Sequence, residues 1–120
     1  METVLFVEYP KCSTCKKAKK WLDEHGIPYT DRHIVEDNPS SSELKSWQEK
    51  SGLPLRRFFI TSGMLYRELG VKKRFEDGLT DKEAFELLAS NGMLVKRPLI
   101  IGKEYVLVGF KEAQWEEILR

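Results

Sequence analysis

Along this chain the spacing of apolar positions switches between two periods. Residues 3–9 (TVLFVEY) are a near-continuous β-branched and aromatic run, which predicts a buried strand. A helical pattern follows from Ser13 or Thr14 to His25. Ala18, Trp21, Leu22 and His25 recur there at three-to-four spacing, with lysines on the other side. Gly26 supplies a C-terminal stop, and Pro28 keeps the helix from resuming. Residues 29–35 (YTDRHIV) predict a second strand. Strand, helix and strand with short connections predict a parallel pair. From Asn38 to about Gly92 the pattern is helical. Ser40 and Glu43 offer a capping box for a helix that ends near Gly52. Residues 55–61 (LRRFFIT) fit a short helix or an extended piece equally, and a helical stretch at 64–69 ends at Gly70. Thr80 and Glu83 form a second capping box, opening a helix through Leu87 and Leu88 that stops at Gly92. Residues 97–101 (RPLII) and 105–109 (YVLVG) are short apolar strands joined by Gly102, Lys103 and Glu104, which predicts an antiparallel hairpin. Lys111 to Leu119 closes the pattern as an amphipathic helix with Trp115, Ile118 and Leu119 inward.

The elements therefore run β-α-β, a helical middle, then β-β-α. That is the order of an α/β thioredoxin-like fold with a helical insertion, about 39–92, between its halves. There is no repeat, low-complexity segment or linker. The 120 residues fit one domain, 1–120, long enough to bury a core without staples. An apolar fraction of 41% and a charged fraction of 32% belong to an ordinary soluble globular protein. No apolar run approaches the roughly 20 residues of a membrane span. The start, METVLFVEYP, lacks the basic n-region and small-residue cleavage site of a signal peptide. A net charge of +1 argues against bulk electrostatic binding of nucleic acid. Two cysteines and no export signal point to the reducing cytoplasm. There a C-x-x-C pair is catalytic, redox-sensing or metal-binding before it is structural.

Both cysteines lie in "YPKCSTCKKAKKW", residues 9–21. Cys12 falls where the first strand ends and the helix begins, so its sulfur can lie against the free N–H groups and positive dipole of the first turn. Lys11, Lys16 and Lys17 add positive charge nearby, unless they only form the solvated face of the helix. Thiolate is favoured either way, and thiolate is the nucleophile. Cys15, three residues on, can approach Cys12 closely enough for a small disulfide ring. Cys12 is then the nucleophile and Cys15 the resolving thiol. A structural zinc site wants four ligands, and the only other soft candidates are His25 and His33. His25 lies about 20 Å along the helix from Cys12, so no metal is expected. Inert buried cysteines are the remaining alternative. In a thioredoxin-like fold the residue before the third strand is a cis-proline facing the cysteines, so Arg97–Pro98 is expected to be cis. Pro98, Lys11, Ser13 and Thr14 are the further residues expected to bind substrate or shape the site.

At "YPKCSTCKKAKKWLDEHGIPY", "LPLRRFFITSG" and "VKRPLIIGKEYVLVGF" the chain resembles the arsenate reductase / Spx family, a glutaredoxin-like group, from Val4 to Leu119. The resemblance implies that Cys12 is the redox cysteine and that Cys15 is the second cysteine of the Spx-like branch. It also implies that Arg97, of the Arg-Pro motif, binds oxyanion or stabilises the thiolate. Arsenate reductases of this family surround the cysteine with three arginines. Here Ile60 and Phe110 stand at two of those places, which counts against efficient arsenate reduction. Arg56 or Arg57 is a partial substitute, with one of the two expected to point away. Spx-type regulators continue in a basic C-terminal extension where this chain has Arg120, and they contact RNA polymerase at the loop holding Gly52.

The expectation is a monomeric cytoplasmic thiol–disulfide oxidoreductase with no bound cofactor. Glutathione or a glutaredoxin- or thioredoxin-like partner would supply the reducing equivalents. The alternatives are a redox-sensing regulator that binds RNA polymerase or another protein, and a glutaredoxin-dependent arsenate reductase.

Overall fold

Strand β1 (Val4–Glu8) has apolar residues in succession because both of its faces are covered. The computed structural model describes residues 2–120; Met1 lies outside the described residues. β1 runs parallel to β2 (Tyr29–His33) and antiparallel to β3 (Leu99–Ile101), which pairs antiparallel with β4 (Val106–Val108). The sheet order is β2-β1-β3-β4. Side chains alternate across this sheet. Val4, Phe6, Ile100 and Leu107 pack against helices α1 (Ser13–Glu24) and α6 (Glu112–Leu119) through Ala18, Trp21, Leu22, Trp115 and Leu119. Val7, Leu99, Val106 and Val108 face the other way, onto the insertion. The result is three layers, with β2 as the polar edge. No described helix is long and apolar enough to cross a membrane.

The insertion holds α2 (Ser41–Ser51), a 3-10 turn at Leu55–Phe58, α3 (Met64–Glu68), α4 (Val71–Glu76) and α5 (Asp81–Ser90). Both capping boxes are present: Ser40 with Glu43, and Thr80 with Glu83. Each satisfies two backbone donors that a helix start leaves free. Residues 55–61 resolve into the 3-10 turn followed by an extended piece. There Phe59 bridges Val95, Ile60 N–H donates to Leu94 O (2.9 Å) and Lys96 N–H to Phe58 O (2.8 Å).

One element is added and two expectations need correction. The sequence pattern did not resolve α4 as an element: VKKRFE has no capping signal, and the helix begins on the left-handed backbone of Gly70 (φ 61°). Gly92 is not the stop of α5, which already ends at an extended Asn91. It is glycine because a Cβ there would overlap the carbonyl of Ile34. Ile118 is not inward but 45% exposed, since α6 buries only the stripe through Trp115 and Leu119.

Candidate active site

The turn between β1 and α1 closes with a hydrogen bond from Cys12 N–H to Tyr9 O (2.9 Å). It leaves Cys12 extended at the N-cap of α1. The carbonyl of Cys12 accepts the first helical bond, from Lys16 N–H (3.0 Å). No hydrogen bond of ordinary length caps the helix from the Cys12 side chain, and no acidic residue occupies the first turn. Burial pushes the Cys12 thiol up. The backbone N–H and thiol of Cys15, the N–H of Thr14 and the charge of Arg97 outweigh it and hold Cys12 below the ordinary thiol value. Lys11, Lys16 and Lys17 are not among these causes.

Cys15 lies on the inner face of α1 with no exposure. Burial drives its thiol up to about 12, against the Tyr9 backbone, and Cys12 and Glu8 push in the same direction. Both cysteines are free thiols.

Arg97 stands between the insertion and the cis peptide to Pro98. Its Nη1 donates to the carbonyls of Met93 (3.0 Å) and Val95 (2.9 Å), and its guanidinium lies 5.4 Å from the centre of the Tyr9 ring. These contacts hold an 8% exposed cation in place, while its Nε–H has no protein partner. An unpaired buried donor is costly to leave unmet, and an anion beside it would satisfy it.

Cys12, Thr14 and Arg97 share a cavity of about 530 Å³. Its other cations are Arg56, Arg57, Lys96 and Lys111; no carboxylate lines it. Among the described residues, none of these five cations enters an ion pair. Both members of the Arg56–Arg57 pair line the cavity, where one was expected to point away, because the 3-10 turn swings both toward it. Arg56 is fixed over the Phe75 ring at 4.5 Å. Ile60 and Phe110 line the cavity too, so the places read as lost arginines do face the cysteine's surroundings. Lys11 and Ser13 are exposed and do not line it.

Sequence reading passed over Glu8. It is 4% exposed, on the sheet face shared by Val4 and Phe6 and covered by α1. Burial, then the neighbouring carboxyl of Asp31, raises its pKa to about 7. A crevice lined by Glu8, Lys16, Lys19, Asp31 and His33 runs along this side, with Lys19 paired to Asp31 at 2.9 Å. The available signal was a carboxylate at an alternating position inside an otherwise apolar strand.

With this geometry in view, the ArsC family pattern matches residues 7–118. The chain belongs to the ArsC family. It is 56% identical over 115 residues to the uncharacterised protein YusI of Bacillus subtilis, covering 96% of this chain and 97% of that one. It is 32% identical over 110 residues to the global transcriptional regulator Spx of Listeria innocua, covering 92% of this chain and 82% of that one. A crystal structure of an ArsC family related protein from Bacteroides fragilis superposes with a TM-score of 0.90 at 52% identity, over 97% of this chain and 98% of that one. The thioredoxin-like fold and the arsenate reductase / Spx kinship read from the sequence both stand. The family is one of thiol-oxidoreductase type.

Proposed function

We propose that this ArsC-family protein is a cytoplasmic thiol–disulfide oxidoreductase. The Cys12 thiolate attacks a sulfur of the substrate disulfide, forming a mixed disulfide and expelling a thiolate. Cys15 gives up its proton and attacks the Cys12 sulfur, which releases the second substrate thiol and leaves a Cys12–Cys15 disulfide. The substrate gains two electrons and the cysteine pair loses them. Glutathione or a glutaredoxin- or thioredoxin-like protein returns them. The observation that carries this reading is the pair of opposed thiols: Cys12 lowered at a helix start in a cation-lined cavity, Cys15 raised behind it.

Arg97 stabilises the Cys12 thiolate, Thr14 lines the cavity beside it, and Pro98 follows Arg97 through a cis peptide bond without lining the cavity. The test is the pH profile of Cys12 alkylation in reduced protein, with peptide mapping after mild oxidation. An apparent pKa well below the free-thiol value of about 8.5, together with a Cys12–Cys15 disulfide, is the expected outcome. An ordinary profile and no internal disulfide would remove the proposal.

Kinship to Spx supports a second reading, in which the same disulfide is a switch in a protein that binds RNA polymerase. Salt-sensitive co-purification with polymerase, without steady turnover of any disulfide, is its signature. Arsenate is a third candidate. Arg56, Arg57 and Arg97 meet in one cavity, but Ile60 and Phe110 place apolar surface there. Glutathione- and glutaredoxin-dependent release of arsenite decides it.

A further inference from the structure

The site cavity continues beyond the sulfur's surroundings. Arg56 and Thr61 also line a second, larger cavity of about 760 Å³ on the insertion. Its other cations are Arg67 at the end of α3 and Lys72 and Lys73 at the start of α4, and Glu76 is its single lining carboxylate. The stack of Arg56 on Phe75 holds the shared cation in place.

Charge on this chain is sorted, not sparse. Twenty Lys and Arg against nineteen Asp and Glu give a net charge of +1, yet eight cations and one carboxylate line the two cavities. Elsewhere, among the described residues, four of the other twelve cations are in ion pairs, Lys19 with Asp31 and Arg32 with Glu43 among them. Along the groove only Lys73 has an ion-pair partner, Asp77 at 3.6 Å on an exposed helix face. Unmatched cations spaced within or near a Debye length of about 8 Å add their fields and steer an anionic partner.

We propose that the groove from Cys12 across Arg56 to Lys72 and Lys73 docks an acidic polypeptide segment that carries the disulfide Cys12 attacks. The chemistry rests on the oxidoreductase reading above; the docking does not. A low-molecular-weight anionic thiol is accommodated by the cavity beside Cys12 and leaves the larger one without a role. Nucleic acid carries no group that Cys12 reduces. Ile60 and Phe110 add apolar contact, which suits a mixed acidic and apolar chain better than a phosphate backbone. The reaction balances: Cys12 thiolate, Cys15 thiol and the partner's disulfide give a Cys12–Cys15 disulfide and a partner with one thiolate and one thiol. A low-molecular-weight or protein thiol then re-reduces the pair.

The experiment uses disulfide peptides of one length that differ only in flanking charge. Reduction by pre-reduced protein is followed in single turnover. The acidic peptide is expected to react about tenfold faster than the neutral one at low salt, the basic one slower, with the difference shrinking as salt rises. The double substitution Lys72→Glu with Lys73→Glu is expected to remove most of that advantage, to leave reduction of the neutral peptide unchanged and to slow reduction of glutathione disulfide much less than that of the acidic peptide. Equal rates for all three peptides would overturn the docking. So would an unchanged preference in the double variant, or an equal loss on glutathione disulfide, which would assign the groove to small anions. If no disulfide is reduced at all, the oxidoreductase reading fails alone. The docking is then read from fluorescence anisotropy of a cysteine-free acidic peptide, which must bind the protein and lose affinity in the double variant. An oligonucleotide of equal charge that binds tighter, with the same dependence on Lys72 and Lys73, would reassign the surface to nucleic acid.

Discussion

Cys12 and Cys15 are one helical turn apart, yet the two ends of that turn are different media. Cys12 opens into a cavity lined with cations and no carboxylate. Cys15 is sealed between β1 and α1, on the side that holds Glu8 and Asp31. Burial works against ionisation at both. Two first-turn N–H groups and Arg97 reverse it at Cys12, while Glu8 reinforces it at Cys15. The asymmetry therefore comes from the helix end at Cys12 and from the burial and acidic neighbour of Cys15. The lysine run is not among its causes, in keeping with lysines that form the solvated face of the helix. Lys16 and Lys19 turn to the acidic crevice, and Lys19 ties down Asp31.

The largest effect should come from the sulfurs themselves. Cys12→Ser should reduce disulfide turnover to background, whereas Cys15→Ser should accumulate one mixed disulfide per chain on Cys12, visible by intact mass. A Cys15→Ser protein that turns over like the parent would show that the buried thiol has no part in release.

Next is Arg97→Ala, which should raise the apparent pKa of Cys12, since it removes a cation that favours thiolate. Lys11→Ala and Lys17→Ala should leave the alkylation profile in place. Equal shifts in all three variants would restore the lysine run as the cause.

Glu8→Gln should have the smallest effect on chemistry and a clear one on stability. The Glu8 carboxyl ionises near its ordinary value of 4.5 when unfolded and at about 7 when folded. The fold holds the extra proton, so stability falls as pH rises between those values and stays lower above them. Glu8→Gln should flatten that decline and gain on the order of 1 kcal/mol at pH 8, measured by urea unfolding at pH 5 and pH 8. It should also lower the pKa of Cys15 by removing a negative neighbour. A parallel loss of stability at both pH values would instead mean that Glu8 acts by packing.

Much of this was legible in the sequence because local rules and tertiary packing agree. Ser40–Glu43 and Thr80–Glu83 are self-contained capping boxes and appear as read. The apolar run of β1 announces a strand buried on both faces, and Cys12 sits at the helix start that the pattern gave it. What stayed hidden depends on contacts between distant segments. Gly92 looks like a helix stop until Ile34 is brought against it. Arg56 and Arg57 converge on the cavity only because the strand-like pairing of 58–60 with 94–96 fixes the 3-10 turn beside Lys96 and Arg97. Glu8 merges into its strand until α1 covers it.

The meeting of Gly92 with Ile34 has a consequence for chain architecture. Nearby, Asn38 Nδ2 donates to the carbonyls of Pro39 (2.9 Å) and Ala89 (3.2 Å), so the insertion leaves and rejoins the sheet through one narrow neck. As a polymer it is a loop closed at its own base, and loop-closure entropy rises only slowly with the length beyond such a neck. Lengthening an exposed turn past the neck leaves the strands and cysteines in place so long as the residues that cover Val7, Leu99, Val106 and Val108 are kept. The neck thus divides the molecule into an engine of sheet and sulfur and a module that carries Arg56, Arg67, Lys72 and Lys73 on its surface. One reaction can be re-addressed to new partners by rewriting the module's exposed residues alone.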